Sequence, residues 1–156
     1  LDAGEHAYRE GDLAAAATAY HQALALWTGP YLDDIYSEWV VLRRETLTRR
    51  HLDALEHLAD SERRLRRLDD AIQHFFVLLH ADPTRESAHR GLMRAFAVRG
   101  DISSALHQFG VCTRVLAQEY GMEPSRETVA LAQTLRVQAE SRRLAKDDSA
   151  TGSHAS

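Results

Sequence analysis

The sequence predicts an all-α fold, a stack of antiparallel helix hairpins with about seven helices, one long inserted helix and a C-terminal capping helix. Three observations carry this. Small and aromatic residues recur at fixed offsets with a spacing of 34 residues between Ala71 and Ala105. Gly-Asp, Asp-Pro and Pro-Ser pairs punctuate the chain where helices end and begin. No stretch shows the period-two alternation of a half-buried strand.

The repeat has a recognisable form. Around Ala71, Phe75 follows by four residues and Leu78 by seven, with Pro83 closing the unit. Around Ala105, Gly100 precedes by five, while Phe109 and Cys112 follow by four and seven. Gly11, Ala16, Tyr20 and Ala23 hold the same offsets near the start. A period of 34 residues per helical hairpin is the tetratricopeptide pattern. Each hairpin buries one face only against its neighbour, so the copies depend on one another.

Punctuation sets the elements in order. Gly11-Asp12 ends a helix over 2–10 and opens one over 12–27, glycine suiting the helix end and aspartate the N-cap. A helix over 38–65 follows, free of Gly and Pro, with an apolar stripe at Leu47, Leu52, Leu55, Leu58 and Leu65. Arg66-Arg67 stands next, where the other copies have Gly-Asp, so this turn should be looser or its helix capped later by Asp69. A helix over 69–81 comes after it, and Asp82-Pro83 then serves as N-cap and first-turn proline for a helix over 84–98, with Glu86 favouring its dipole. Gly100-Asp101 leads into 101–119, and Pro124-Ser125 into 125–145. The stripe Val129, Leu131, Ala132, Leu135 and Ala139 suits a helix that caps the stack, with pairing of two copies through it as the alternative.

Ala71 lies 55 residues after Ala16, one period plus 21. The excess falls in WTGPYLDDIYSEW and the front of the long helix. Its two tryptophans, Trp27 and Trp39, with Tyr31 and Tyr36, could form an interaction surface or plug the insertion onto the stack through buried rings.

Composition narrows the function classes. The chain has 156 residues, 44% apolar and 27% charged, and a net charge of −4. Such a balance argues against autonomous nucleic-acid binding, which draws on neutralised phosphates. No apolar run approaches the ~20 residues that span a bilayer, and no signal segment opens the chain, so no membrane partner and a cytoplasmic setting are expected. The single Cys112 fits a small-residue repeat position as a packed thiol. Domain organisation is expected as one helical domain over 1–145 and a disordered polar tail over 146–156, with Leu1 marking a cut through a larger protein.

No catalytic residue and no cofactor are expected, because phosphate loops, nucleophile motifs and two-carboxylate frameworks are absent from the sequence. Asp33-Asp34 and Asp69-Asp70 sit where turns and caps use them. Nine histidines raise the question of a metal. His51 and His57, like His74 and His80, are six apart and so fall on different helix faces, and no metal is expected from that spacing. His51 borders the leucine stripe as an edge residue.

The first helix of each hairpin in this repeat lines a concave groove. Those positions give Glu5, Tyr8 and Arg9, then Asp53, Glu56, Asp60, Arg63 and Arg64, then Ser87, Arg90 and Arg94. Arg63, Arg90 and Arg94 could receive a carboxylate or phosphate bidentately. The acids Asp53, Glu56 and Asp60 could instead pair with the arginines and leave the groove neutralised.

Three segments, taken in order, resemble the bacterial transcriptional activator domain of the antibiotic-regulatory (SARP) activators. These are ALALWTGPYLDD, the arginine-bearing helix with LTRRHLDALEHLAD, and ADPTRESAHRGLMRAFAVRGDISSALHQFGVCTRVLAQEYGMEPSRET, over roughly residues 1–140. The resemblance implies a regulatory domain that follows an N-terminal winged-helix DNA-binding domain. DNA contact would then come only through that domain, which this sequence does not include. Expected partners are that domain, a second copy, the transcription machinery or a small-molecule effector. A free-standing adaptor that grips a peptide in its groove is the alternative.

Overall fold

Four of the described residues take a left-handed backbone, and each sits just past the end of a helix: Gly11 at φ 80°, Arg66 at φ 65°, Gly100 at φ 94° and Gly121 at φ 63°. The computed structural model describes residues 1–27 and 38–151, with side chains for 1–27 and 41–145. Its helices are α1 (Asp2–Glu10), α2 (Leu13–Ala25), α3 (Glu38–Arg64), α4 (Leu68–Ala81), α5 (Glu86–Arg99), α6 (Ile102–Tyr120) and α7 (Arg126–Thr151). Among the described residues there is no strand, so the all-α, tetratricopeptide-like helical architecture expected from the repeat is the one observed.

The three hairpin turns are built alike. The left-handed residue donates its N–H to the carbonyl three back, and the next residue donates to the carbonyl five back. These pairs are Gly11 to Tyr8 and Asp12 to Ala7, Arg66 to Arg63 and Arg67 to Glu62, Gly100 to Ala97 and Asp101 to Phe96. That is the Schellman closure. The Arg66 turn is therefore as tight as the glycine turns, contrary to the looser turn expected there. Asp69 does not cap α4 either. Arg67 takes the N-cap position without a side-chain bond, and Asp69 lies in the first turn.

Asp12 and Asp101 do cap, accepting from Ala15 N and Ser104 N at 3.0 Å each. Asp82 does not open α5, which begins two residues later than expected. Its N–H is still bonded to Leu78 O at 2.8 Å, so Asp82 closes α4, and its extended backbone suits the residue before a proline. At the other end of the chain α7 continues to Thr151, past the expected boundary at 145.

The chain divides into two compact units, Leu1–Pro83 and Thr84–Ser156. In the first, α1 packs on α2, α2 on α3 and α3 on α4, with α1 also reaching α3. Its core joins Ala16, Ala17 and Tyr20 of α2 to Ala54 and Leu58 of α3, with Leu1, Ala7, Tyr8, Leu24 and Leu65 packed around them. Ala71, Ile72, Phe75 and Leu78 supply the buried face of α4. In the second unit α6 packs on α5, and α7 covers both. The buried apolar residues of this unit include Leu92, Met93 and Phe96 of α5, Ile102, Ala105, Cys112 and Leu116 of α6, and Ala132 and Leu135 of α7. The last helix thus caps its unit with the stripe expected of it.

The repeat offsets translate directly into burial. Ala16, Ala71 and Ala105 are all 0% exposed. A methyl at these points lets the paired helices approach closely, and the aromatic four residues later fills the space beside it. Tyr20 and Phe75 are buried and Phe109 is half-buried under the Arg136 guanidinium, 5.5 Å from its ring centre. Removing such a ring from water stabilises by about 2–3 kcal/mol.

Candidate interaction surface

On the first two hairpins, three of the residues expected to line the groove, Tyr8, Arg63 and Arg64, gather around the Asp60 carboxylate. Asp60 accepts from the Tyr8 hydroxyl at 2.8 Å through Oδ2 and from Arg63 Nε and a terminal nitrogen at 3.0 and 2.6 Å through Oδ1. Arg64 stands 4.0 Å away. Burial pushes the Asp60 carboxyl up, but the bonds from Arg63 and Tyr8 and the two guanidinium charges outweigh it and hold it below the usual range. The Tyr8 hydroxyl is pushed up, first by burial, then by its hydrogen bond to Asp60 and by that carboxylate's charge. The Tyr8 ring stacks on His57, 4.7 Å between centres, and His57 Nδ1 meets the Tyr20 hydroxyl at 2.9 Å. Sequence places these four residues on three helices, and the fold draws them into one connected patch.

Arg9 donates to the Glu5 backbone carbonyl at 3.2 Å, and Asp53 and Glu56 are half-buried on α3. Pairing of acid with arginine, the neutralised alternative for this groove, describes Asp60 and Arg63. A half-buried tyrosine, a fixed carboxylate and the guanidinium edges make a polar surface with set geometry.

In the second unit Arg90 faces inward. It donates to Thr128 Oγ1 at 3.0 Å and to Ser125 Oγ at 3.4 Å, 3.8 Å from the Glu86 carboxylate. Glu86 Oε2 accepts from the Ser125 N–H, the Ser125 hydroxyl and the Thr128 hydroxyl at 2.9, 2.9 and 2.6 Å. Burial raises the Glu86 carboxyl, but the hydrogen bonds and Arg90 outweigh it and set it below its ordinary range. Arg90 therefore ties the start of α5 to the start of α7. Arg94 is exposed and Ser87 half-buried on the same helix.

Of the aromatic run, Trp27 is half-buried and stacks on His51 at 4.4 Å, which sets His51 as a packed edge residue whose pKa burial lowers. Tyr31, Tyr36, Asp33, Asp34 and the Trp39 side chain lie outside the described residues. Cys112 is buried, its thiol pushed up to about 11 by burial and by the Glu86 charge.

One constellation escapes any spacing rule within a helix. His21 on α2, Glu62 on α3 and His74 on α4 converge, with His21 Nε2 3.0 Å and His74 Nδ1 2.6 Å from the Glu62 carboxylate. Glu62 is 1% exposed, and each of its carboxylate oxygens meets one imidazole nitrogen. The bond to Glu62 raises the His74 pKa above its ordinary value despite partial burial. His21 and Glu62 are 41 residues apart, and Glu62 and His74 are 12 apart, so only the fold brings them together.

Comparison with known proteins places this helical arrangement. Regulatory protein DnrI of Streptomyces peucetius is 29% identical over 123 residues, 78% of this chain and 45% of its own length. Regulatory protein AfsR of Streptomyces coelicolor is 30% identical over 122 residues, 78% of this chain and 12% of its own. The chain thus spans less than half the length of these curated relatives. Among solved structures, Mycobacterium tuberculosis EmbR, in complex with a low-affinity phosphopeptide, superposes with a TM-score of 0.80 at 27% identity, covering 87% of this chain and 36% of EmbR. Residues 1–136 match the bacterial transcriptional activator domain, and the chain belongs to that family.

Proposed function

We propose that this chain is the regulatory, protein-interacting part of a longer bacterial transcription activator, and that it biases an attached DNA-binding domain. The observation that carries this reading is the family match over residues 1–136, with regulatory proteins of greater length as relatives. A regulator of this kind works by differential affinity for two states of the whole protein. Docking on the DNA-binding domain, association with a second copy and capture of an effector each supply such a difference.

The patch of Tyr8, Asp60, Arg63 and Arg64 supports docking among these routes. It offers fixed hydrogen-bonding groups beside exposed charge, the chemistry of a polar protein contact. The net charge of −4 fits a module that leaves DNA contact to another domain. The phosphopeptide belongs to EmbR, of which the matched part is 36%, so it is not carried over to this groove. Within this reading the domain is a binding module rather than an enzyme and works in the cytoplasm. Among the described residues no helix is long and apolar enough to cross a membrane.

The test starts with the native polypeptide, sized by immunoblot of source cells with an antibody against this domain. A band at least about 10 kDa above the 17.5 kDa of this chain leaves room for a DNA-binding domain of ~100 residues. The full product should then bind a specific DNA sequence, and removal of residues 1–145 should abolish regulated transcription while DNA binding persists. A native band at 17.5 kDa without a longer precursor would overturn the reading. It would favour a free-standing adaptor that grips a peptide.

A further inference from the structure

We infer that His21, Glu62 and His74 form a binding site for a divalent transition-metal ion, with zinc the ion their donors suit best. Each residue offers one ligand atom, and these atoms all lie within 4.8 Å of one another. Two donors bound tetrahedrally at ~2.0–2.2 Å from zinc sit about 3.3–3.5 Å apart. The nitrogen–oxygen separations of 3.0 and 2.6 Å are shorter than that, by up to about 0.9 Å for His74, so the imidazoles must draw back from the carboxylate to admit an ion. The two imidazole rings meet edge to face, with centres 5.5 Å apart and planes at 66°. That arrangement lets both rings aim a nitrogen at one point.

The donor set is two imidazoles and a carboxylate, which suits zinc and its first-row neighbours rather than calcium or magnesium. Three protein ligands leave a fourth position, and the His21 side chain is 51% exposed, so the ion has a path from solvent. Asp70, one turn before His74, adds a further negative charge beside the cluster. The ligands come from α2, α3 and α4, one each, and α3, which carries the central carboxylate, packs on both α2 and α4. Binding therefore costs little rearrangement of the helices. It would brace the first unit at the point where its second hairpin turns. With Glu62 ionised, His21 Nε2 and His74 Nδ1 are the donors to its two oxygens. An ion takes the place of the donated protons once each ring holds its proton on the other nitrogen.

The competing account is a buried carboxylate held by two hydrogen-bonding imidazoles and nothing more. The full 156-residue chain, stripped of metal, separates the two when titrated with Co²⁺ and then Zn²⁺. One equivalent of Co²⁺ should produce visible ligand-field bands that Zn²⁺ abolishes, and ~100 µM Zn²⁺ should raise the unfolding midpoint by several degrees. His21→Gln removes a half-exposed ligand and should weaken binding at least tenfold with unchanged far-UV circular dichroism. Side-chain ¹⁵N shifts of the unaltered protein give an independent reading, since Zn²⁺ should move His21 Nε2 and His74 Nδ1 and leave His6 and His107 in place. Failure of Co²⁺ and Zn²⁺ to bind overturns the proposal. So does binding that persists undiminished in His21→Gln or shifts other histidines instead.

Discussion

The Thr128 hydroxyl donates to Glu86 Oε2 at 2.6 Å across 42 residues of chain, fastening the first turn of α7 to the first turn of α5. Ser125 adds its N–H and hydroxyl to the same oxygen, and Arg90 closes the cluster. One carboxylate thereby satisfies the N-cap residue of a different helix. Glu86→Gln keeps the size and removes the charge, and should cost about 1–2 kcal/mol in urea denaturation at pH 7. Because Glu86 titrates below its ordinary value of 4.5, its contribution is fully present above that pH. It is lost as pH falls below 4.5 through the lower folded value. The native chain should therefore lose stability in that window more steeply than Glu86→Gln. Parallel acid profiles for the two proteins would contradict the assignment.

Arg66 does glycine's work at the turn between α3 and α4. Its φ of 65° matches Gly11, Gly100 and Gly121, yet it carries a Cβ. A non-glycine residue held left-handed costs about 1–2 kcal/mol, partly offset by the greater unfolded entropy of glycine. Arg66→Gly should stabilise the domain by about 1 kcal/mol, read as a higher urea midpoint with an unchanged slope. The Arg66 side chain is exposed, so little packing is lost in exchange. A lower midpoint would show that Arg66 contributes a contact larger than its strain.

Much of the fold was legible because the repeat is a pattern of sizes. The alanines at 16, 71 and 105 mark points where paired helices approach, and all three are 0% exposed. Seven helices follow from turn chemistry that a short window can hold. Turns written without glycine are harder to read, since Arg66 shows nothing of its left-handed backbone in sequence. Helix starts depend on which partner wins a residue: Asp82 stays bonded to α4, which delays α5 to Glu86. The hairpin register named both Tyr8 and Asp60 as groove candidates but not the hydrogen bond that joins them. The Glu86 and Glu62 clusters were invisible, since each joins residues from separate helices whose juxtaposition only packing decides. The same holds for Arg90, expected on the groove face and found bonded to Thr128.

Gly4 sits on α1 against the Tyr20 ring, and a Cβ placed there would lie 2.8 Å from both Cδ1 and Cε1. Alanine in a helix interior ordinarily gains about 1 kcal/mol over glycine. Here the ring cannot give way, because Tyr20 is 0% exposed and its hydroxyl is held by His57. Overpacking should win, and Gly4→Ala should destabilise by about 1–3 kcal/mol. Thermal unfolding of the single variant measures this directly. A raised midpoint would mean that α1 shifts freely on α2 and that the close approach is dispensable.

Arg90 and Arg94 lie one turn apart on α5 and should answer differently to charge reversal. Arg90→Glu sets a second carboxylate beside Glu86, which stands 3.8 Å from the present guanidinium, and removes the donor to Thr128. Loss of a partly buried partner together with like-charge repulsion should cost about 2–4 kcal/mol. Binding measured on that variant would confound the surface with the fold. Arg94 is exposed, so Arg94→Glu should cost less than Arg90→Glu, about 1 kcal/mol or under in urea denaturation. Its effect on association is then a fair reading of the groove. If the groove receives an acidic segment of the rest of the activator, Arg94→Glu should weaken that association about tenfold, and more so at low salt. Full association by Arg94→Glu at low salt would remove α5 from the docking surface, leaving the Tyr8–Asp60 patch of the first unit as the place to look.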